Sequence, residues 1–153
     1  MRKRRTSVRR VESAPVQPPL LCIRLLGAVD LRYGDRSLPL PSARAESLLA
    51  YLLLHRDAPQ PRQRLAFLLW PDSTEEQART NLRHVLHDLR RALPDADRFL
   101  DVAPRTLRWR PDAPFWLDVA AFEAALTRAA ASDEDDALPA LREAVERYRG
   151  DLL

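Results

Sequence analysis

Cysteine and glycine are scarce in this sequence, and their scarcity excludes several kinds of site. The single cysteine, Cys22, cannot form an internal disulfide or a cysteine zinc cluster. It lies in an apolar run, which predicts a buried small hydrophobic side chain. The sequence has only three glycines and contains no glycine-rich phosphate-binding loop. It also contains no nucleophile motif and no pair of catalytic carboxylates. We therefore predict that the chain is not an enzyme and binds no cofactor or metal.

Long apolar runs are missing as well. No stretch reaches the ~18 apolar residues that a membrane span requires. The charged N-terminus is followed by no apolar segment, so the pattern of a secretory signal is absent. These two absences predict a protein with no membrane partner and a cytoplasmic location.

Positive charge is concentrated towards the N-terminus. Residues 1–19 carry 6 basic and 1 acidic side chains, residues 20–112 carry 15 and 12, and residues 113–153 carry 4 and 9. This asymmetry indicates that the front of the chain meets a polyanion. Residues 1–19 lack apolar periodicity and end in a proline-rich stretch, which predicts a disordered basic arm, either attracted to phosphates or without a role. Arginine content alone decides nothing, because Lys3 is the only lysine and a GC-rich coding sequence gives the same bias.

The pattern of residues 20–112 predicts an α+β domain. Alternating apolar residues up to the Gly34-Asp35 turn, followed by Leu38 and Leu40, indicate a small N-terminal antiparallel sheet of three strands. Two alternating segments across Ala103–Thr106 predict a C-terminal hairpin with an arginine at its tip. Between sheet and hairpin, helices are predicted at Ala43–His55 with Ser42 as N-cap, at Arg62–Leu69 and at Ser73–Leu93. This order of elements is that of a winged helix-turn-helix, in which the hairpin is the wing.

The long third helix has an apolar face and a basic face. Ser73 and Glu76 stand three apart, which is a capping-box pattern at its start. Apolar residues recur at helical spacing on one side, namely Ala78, Leu82, Val85, Leu86, Leu89 and Leu93. The opposite side carries Thr80, Arg83, His84, His87 and Arg91, flanked by Arg79 and Arg90. No acidic residue lies on this outer arc, and Asp88 falls at its edge.

Such a face fits the major groove of DNA. Arginine can donate two parallel hydrogen bonds to guanine, and threonine can contact a base edge, a phosphate or a thymine methyl. The wing would meet the backbone or the minor groove. Two alternatives stay open: an ordinary solvated face, and a metal site at His84 and His87, for which no third ligand is evident. The residues predicted to bind DNA are Arg79, Thr80, Arg83, His84, His87, Arg90, Arg91, Arg105, Thr106 and Arg108.

Residues 113–153 have a different character. Phe115-Trp116-Leu117 is an apolar patch, and Asp118 is the predicted N-cap of a helix through Ala131. An acidic linker then leads to a second helix that ends at Arg149. Because two amphipathic helices need neighbours to bury their faces, we predict an α-helical hairpin that is the first pair of a helical array.

Five motifs occur in order along the predicted winged helix: Leu25-Leu26-Gly27, Leu48-Leu49-Ala50-Tyr51-Leu52, Leu69-Trp70-Pro71-Asp72, Ala78-Arg79-Thr80-Asn81-Leu82-Arg83 and Leu89-Arg90-Arg91-Ala92-Leu93. They resemble the DNA-binding domain of the Streptomyces antibiotic regulatory protein family, which is like that of OmpR-type response regulators of phosphorelay systems. Further matches, to the start of the bacterial transcriptional activator domain that follows it in the family, occur at Leu117-Asp118-Val119, Phe122-Glu123 and Tyr148–Leu153. The resemblance covers nearly everything after Leu20.

The resemblance implies a bacterial transcription regulator, and an activator in particular. Ser73–Leu93 would be the recognition helix, and Pro71–Thr74 would lie in the loop that can face RNA polymerase. The family typically binds direct repeats near promoters as dimers, so double-stranded DNA, RNA polymerase and a second copy are the implied partners. Its activator domain is a longer repeat domain of tetratricopeptide type, so residues 113–153 would be a truncated first helix pair.

A protein-interaction module is the alternative function. In it, a degenerate winged helix has lost DNA binding and the helical segment recruits partners. The arginine face without acids favours the DNA-binding regulator over this alternative.

Overall fold

The computed structural model describes residues 20–131 and 134–151. The predicted basic arm at residues 1–19 lies outside these ranges, as do part of the acidic linker and the last two residues. The described chain begins with three antiparallel strands: β1 (Leu21–Arg24), β2 (Asp30–Tyr33) and β3 (Arg36–Ser37). The predicted antiparallel start of the domain is therefore present.

The third strand lies earlier than predicted. A two-residue turn, with a positive φ of 60° at Gly34, places Arg36 directly opposite Tyr33, so pairing begins at once. The prediction of a strand at Leu38 and Leu40 is wrong. The hydrogen bonds to β2 end with that from the Leu38 N–H to the carbonyl of Leu31 (2.9 Å), so β3 does not extend to Leu40.

Three helices follow: α1 (Ala43–Leu54), α2 (Arg62–Leu69) and α3 (Glu75–Ala92). α1 and α2 match the predicted helices to within one residue. Ser42 caps α1 as predicted, because its Oγ accepts a hydrogen bond from the N–H of Ala45 (3.2 Å).

The start of α3 differs from the predicted capping box by one residue. The cap is Thr74, whose side chain accepts a hydrogen bond from the N–H of Gln77 at 3.3 Å. Ser73 belongs to the preceding turn, where its N–H donates to the carbonyl of Trp70. The Ser73–Glu76 pairing is therefore wrong, and a threonine with glutamine three residues later occupies the equivalent positions.

The wing is part of a second sheet of three strands, in the order β4-β6-β5. These strands are β4 (Gln60–Pro61), β5 (Leu100–Val102) and β6 (Thr106–Trp109). β5 and β6 form the predicted hairpin, with Leu100 opposite Trp109. β4 was not predicted; it ends where α2 begins and pairs with β6, so the wing is hydrogen-bonded to the start of α2.

One further strand, β7 (Phe115–Leu117), returns to the first sheet and runs parallel to β1, which gives the order β3-β2-β1-β7. The sheet is therefore mixed, whereas the sequence predicted an antiparallel one. Three apolar residues in a row carry no strand signature of their own. Their position is set by partners more than 90 residues away, since Ile23 lies opposite Leu117.

A buried tryptophan connects the two sheets. Trp109 of β6 is fully buried, stacks on Phe99 with ring centroids 5.6 Å apart, and meets the Phe115 ring edge-on at 5.4 Å. Cys22, by contrast, is only half-buried, and the prediction that it is buried is wrong. Side chains alternate along β1, so Leu21 and Ile23 take the core face and leave Cys22 on the other.

The chain ends in a helical hairpin of α4 (Asp118–Ala131) and α5 (Glu134–Arg147). α4 ends where predicted, and α5 ends two residues before Arg149. The Asp118 carboxylate is buried and accepts hydrogen bonds from the N–H groups of Leu25 (2.9 and 3.0 Å), Leu26 (3.0 Å) and Val119 (2.8 Å). It therefore joins the end of β1 to the start of α4.

A second junction lies at the other end of the hairpin. The Gly27 N–H donates to the carbonyl of Asp151 (3.0 Å), and Gly27 has a φ of 92°. A Cβ at Gly27 would lie 3.2 Å from the carbonyl oxygen of Arg149. The helical hairpin is thus attached to the first sheet at both of its ends.

An ion-pair cluster around Glu143 links the two helices of the hairpin, and Arg147 in this cluster also contacts the first sheet. It accepts from Arg147 (2.7 Å) and Arg128 (2.6 Å), and the Arg147 guanidinium lies 5.7 Å from the ring centre of Trp116. The hydrogen bond from Arg147 lowers the pKa of Glu143 from 4.5, and attraction to Arg128 adds to the lowering, against a smaller opposing effect of lost hydration.

The lowered pKa of Glu143 makes the stability of the hairpin depend on pH. Since the folded pKa lies below the unfolded value, the stabilisation is complete above pH 4.5 and is lost as the pH falls through the folded pKa. We expect Glu143→Gln to lower the thermal midpoint at neutral pH. The difference in midpoint should decrease to zero as the pH falls below the folded pKa of Glu143. Glu146→Gln, at an exposed position on the same helix, is the control and should change the thermal midpoint little at neutral pH. A midpoint difference for Glu143→Gln that is constant with pH would contradict the prediction.

Candidate nucleic-acid interface

The two faces of α3 are separated in the structure as the sequence predicts. Its apolar side is buried at Ala78, Leu82, Leu86 and Leu89. The opposite side exposes Arg79, Arg83, His84, His87, Arg90 and Arg91, with Thr80 half-buried among them. α3 therefore presents a row of hydrogen-bond donors to solvent over about three turns.

Carboxylates from outside the predicted face contact its two ends. Arg79 forms an ion pair with Glu75 one turn earlier on α3, and Arg90 pairs with Asp97 at 2.7 Å. The expectation of a face clear of acids is therefore wrong at Arg79 and Arg90. Both pairs are solvent-exposed, and exposed pairs contribute only ~0–1 kcal/mol, so DNA phosphates can compete for these arginines.

The centre of the face has no such pairing. Arg83 donates to the Thr80 hydroxyl at 3.1 Å. Within the described residues, neither Arg83 nor Arg91 has a carboxylate partner. Asp88 is exposed and forms no ion pair with the described residues. The middle of α3 thus keeps its positive charge uncompensated.

Two grooves flank this face. One, of about 790 Å³, lies between the first half of α3, the start of α2 and the wing tip, and its walls carry Arg62, Arg79, Arg83 and Arg105. The other, of about 580 Å³, runs along the second half of α3 and is bordered by Arg62, Arg83, His87, Arg90 and Arg91 together with Asp95 and Asp97. The structure therefore brings the wing tip and the exposed arginines of α3 to the same side of the molecule, where Glu76, Asp95 and Asp97 also line the grooves.

The predicted wing residues have different positions. Arg105 is exposed at the tip, and Thr106 is half-buried where β6 begins. Arg108 turns the other way: its guanidinium donates to the carbonyls of Arg56 (3.1 Å) and Asp57 (3.0 Å), just after α1. Arg108 therefore holds the base of the wing. Arg62 lines both grooves and was not predicted, because a lone arginine at a helix start carries no periodic signal.

Neither a metal site nor a membrane segment is found in the described ranges. Among the side chains described in residues 20–131 and 137–151, no group of three histidine, cysteine or acidic side chains is arranged to hold an ion, so His84 and His87 have no third ligand there. In the same part of the chain, none of the helices has the length and apolar character needed for a bilayer crossing.

Comparison with known proteins gives one informative match. No family model matches the sequence, and no curated protein sequence matches it. A solved structure of Mycobacterium tuberculosis EmbR in complex with a low-affinity phosphopeptide is similar, with a TM-score of 0.71 and 26% identity over 88% of this chain. The match spans only 38% of the EmbR chain. The α+β winged-helix class is confirmed, and the likeness supports a fold of the Streptomyces antibiotic regulatory protein type.

Proposed function

We propose that this chain, with its EmbR-like fold, is a transcription regulator that binds double-stranded DNA by placing α3 in the major groove. The observation that carries the proposal is the exposed middle of α3, where Arg83 and Arg91 stand without carboxylate partners in the described chain beside the basic grooves. Arginines held on a rigid helix can read guanine by paired hydrogen bonds. The wing tip would supply a backbone or minor-groove contact through Arg105.

The proposed DNA contacts are a refined form of the predicted set. Arg83, His84, His87 and Arg91 would face bases or phosphates directly. Arg79 and Arg90 would exchange their carboxylate partners for phosphates. Arg108 would support the wing instead of touching DNA, because its guanidinium is already bound to two main-chain carbonyls.

Selection of bound duplexes from a random pool tests the proposal. An enriched sequence would identify the site, and two copies in the same orientation would show the direct repeats and the paired binding that the family resemblance implies. Failure to enrich any duplex would refute DNA binding by this chain.

Substituting Arg83 tests the placement of α3. We expect Arg83→Ala to weaken binding to the selected duplex by ~1–3 kcal/mol while changing affinity for random duplex much less, if Arg83 contacts a base. Titration of both duplexes at one salt concentration measures the difference. Arg142→Ala, on the exposed surface of α5, is the control and should leave both affinities unchanged. An equal loss on both duplexes would instead make Arg83 a phosphate contact.

Protein recruitment is supported by a separate observation. Phe67 is 70% exposed and Leu68 is 51% exposed on α2, close to the loop Pro71–Thr74. Adjacent exposed apolar residues can form part of a contiguous apolar patch, and large patches of this kind mark contact surfaces. We propose RNA polymerase as the partner of this loop, as the family resemblance implies. Capture of polymerase without DNA would support this, and capture without any duplex selectivity would favour the alternative of a pure interaction module.

A further inference from the structure

Arg62 lies where the two basic grooves meet. It is the first residue of α2, and only Arg62 and Arg83 line both grooves. Arg83 approaches this point from α3, whereas Arg62 approaches it from the side of the wing. Arg62 therefore lies between α3 and the wing, the two elements that the proposed function places on DNA.

Main-chain bonds hold Arg62 against the wing. Its N–H donates to the carbonyl of Arg105 at the wing tip (2.9 Å), and the preceding residue, Pro61, lies opposite Thr106 in the β4–β6 ladder. Its guanidinium makes one long hydrogen bond, from Nη1 to the carbonyl of Ala103 (3.4 Å). The backbone of Arg62 is thus attached to the wing by main-chain hydrogen bonds.

Most of the donor capacity of this guanidinium is unused. An arginine side chain has five N–H donors, and only the bond to Ala103 engages one of them among the described residues. No carboxylate among the side chains described in residues 20–131 and 137–151 forms an ion pair with Arg62. Arg62 is a half-buried cation without an ion pair in the described part of the chain, although Glu76, Asp95 and Asp97 also line the two grooves, and its free donors are suited to an anion that approaches from outside.

We propose that Arg62 binds a backbone phosphate of DNA at the ridge between the groove entered by α3 and the groove reached by the wing. This inference rests on the proposed function, because a protein that occupies two adjacent grooves must straddle the phosphate strand between them. Arg62 fixes the spacing of wing and recognition helix on that strand. The contact is independent of base sequence.

Salt dependence of binding tests the inference with two matched variants. Arg62→Gln removes the charge and keeps a side-chain N–H for Ala103, whereas Arg62→Lys keeps the charge. Each phosphate contact contributes ~0.9 to the slope of log Kobs against log salt concentration. We expect Arg62→Gln to reduce the steepness by about 0.9 on selected and random duplexes alike, and Arg62→Lys to restore it. Circular dichroism and thermal midpoints identify any variant that fails to fold.

The outcomes separate this inference from the proposed function. If both variants bind more weakly with the slope of the native chain, Arg62 only supports the wing and the inference is overturned. That result does not contradict the proposal that the chain binds DNA, because the effect of Arg83→Ala on the selected duplex tests that proposal separately. If the native chain binds no duplex, both proposals fail. A reduced slope on the selected duplex alone would also overturn the inference, because a phosphate contact acts on every sequence.

Discussion

Asp118→Ala is expected to destabilise the chain by on the order of 3–5 kcal/mol, because it leaves buried N–H groups unpaired and each such group costs about 1–3 kcal/mol. The carboxylate is 3% exposed and accepts from the N–H groups of Leu25, Leu26 and Val119. Urea denaturation monitored by tryptophan fluorescence would measure the loss. Because two of these donors directly follow β1 and the third lies in α4, both the sheet and the helical hairpin should unfold in one transition at a lower urea concentration.

Two further variants define the role of Asp118. Asp118→Asn keeps one acceptor oxygen and should lose less than half as much stability. Asp112→Ala, at an exposed position, should be close to neutral. A native-like midpoint for Asp118→Ala would mean that water or a shifted backbone satisfies the donors of Leu25 and Leu26.

Trp109→Ala is the other substitution with a large expected effect, a loss of about 3–5 kcal/mol of unfolding free energy, as for other fully buried aromatic residues. The side chain fills the space between the wing and the first sheet, against Phe99 and Phe115. Removing it leaves a cavity that neither sheet can close, since both are held by their own ladders. The affinity for DNA should also fall if the wing loses its fixed position.

Trp116→Ala is the matched control for Trp109→Ala. Trp116 is only half-buried and contacts the guanidinium of Arg147 with one face of its ring. Its removal should cost clearly less than the removal of Trp109, in the same denaturation assay. Equal losses at the two positions would contradict the assignment of Trp109 as the link between the sheets.

The sequence predicted what depends on local pattern. Flanking prolines located α2 to the residue, and the two faces of α3 followed from the helical spacing of its apolar residues. The β5–β6 hairpin followed from alternation around a short turn. Each of these signals is contained within a few consecutive residues, so no knowledge of the rest of the chain is needed.

The features that could not be predicted from the sequence depend on contacts between residues that are distant in the chain. β7 is a strand because β1 is available beside it, and nothing in Phe115–Leu117 shows this. Arg108 was predicted to contact DNA. In the fold its guanidinium donates instead to the carbonyls of Arg56 and Asp57, about 50 residues earlier in the chain. Thr74 and Ser73 are both acceptable caps, and the preceding turn decides between them.

The parallel pairing of β7 with β1 has a consequence for how the chain is made. On the ribosome, β1 emerges early, but β7, its neighbour on one side, follows only after 94 further residues, the separation between Ile23 and Leu117 in the β1–β7 register. Until then β1 keeps a bare edge with unpaired main-chain groups, and such edges recruit strands from other chains. β7 thus completes the first sheet during biosynthesis, and a version cut at Pro111 would keep that edge open permanently.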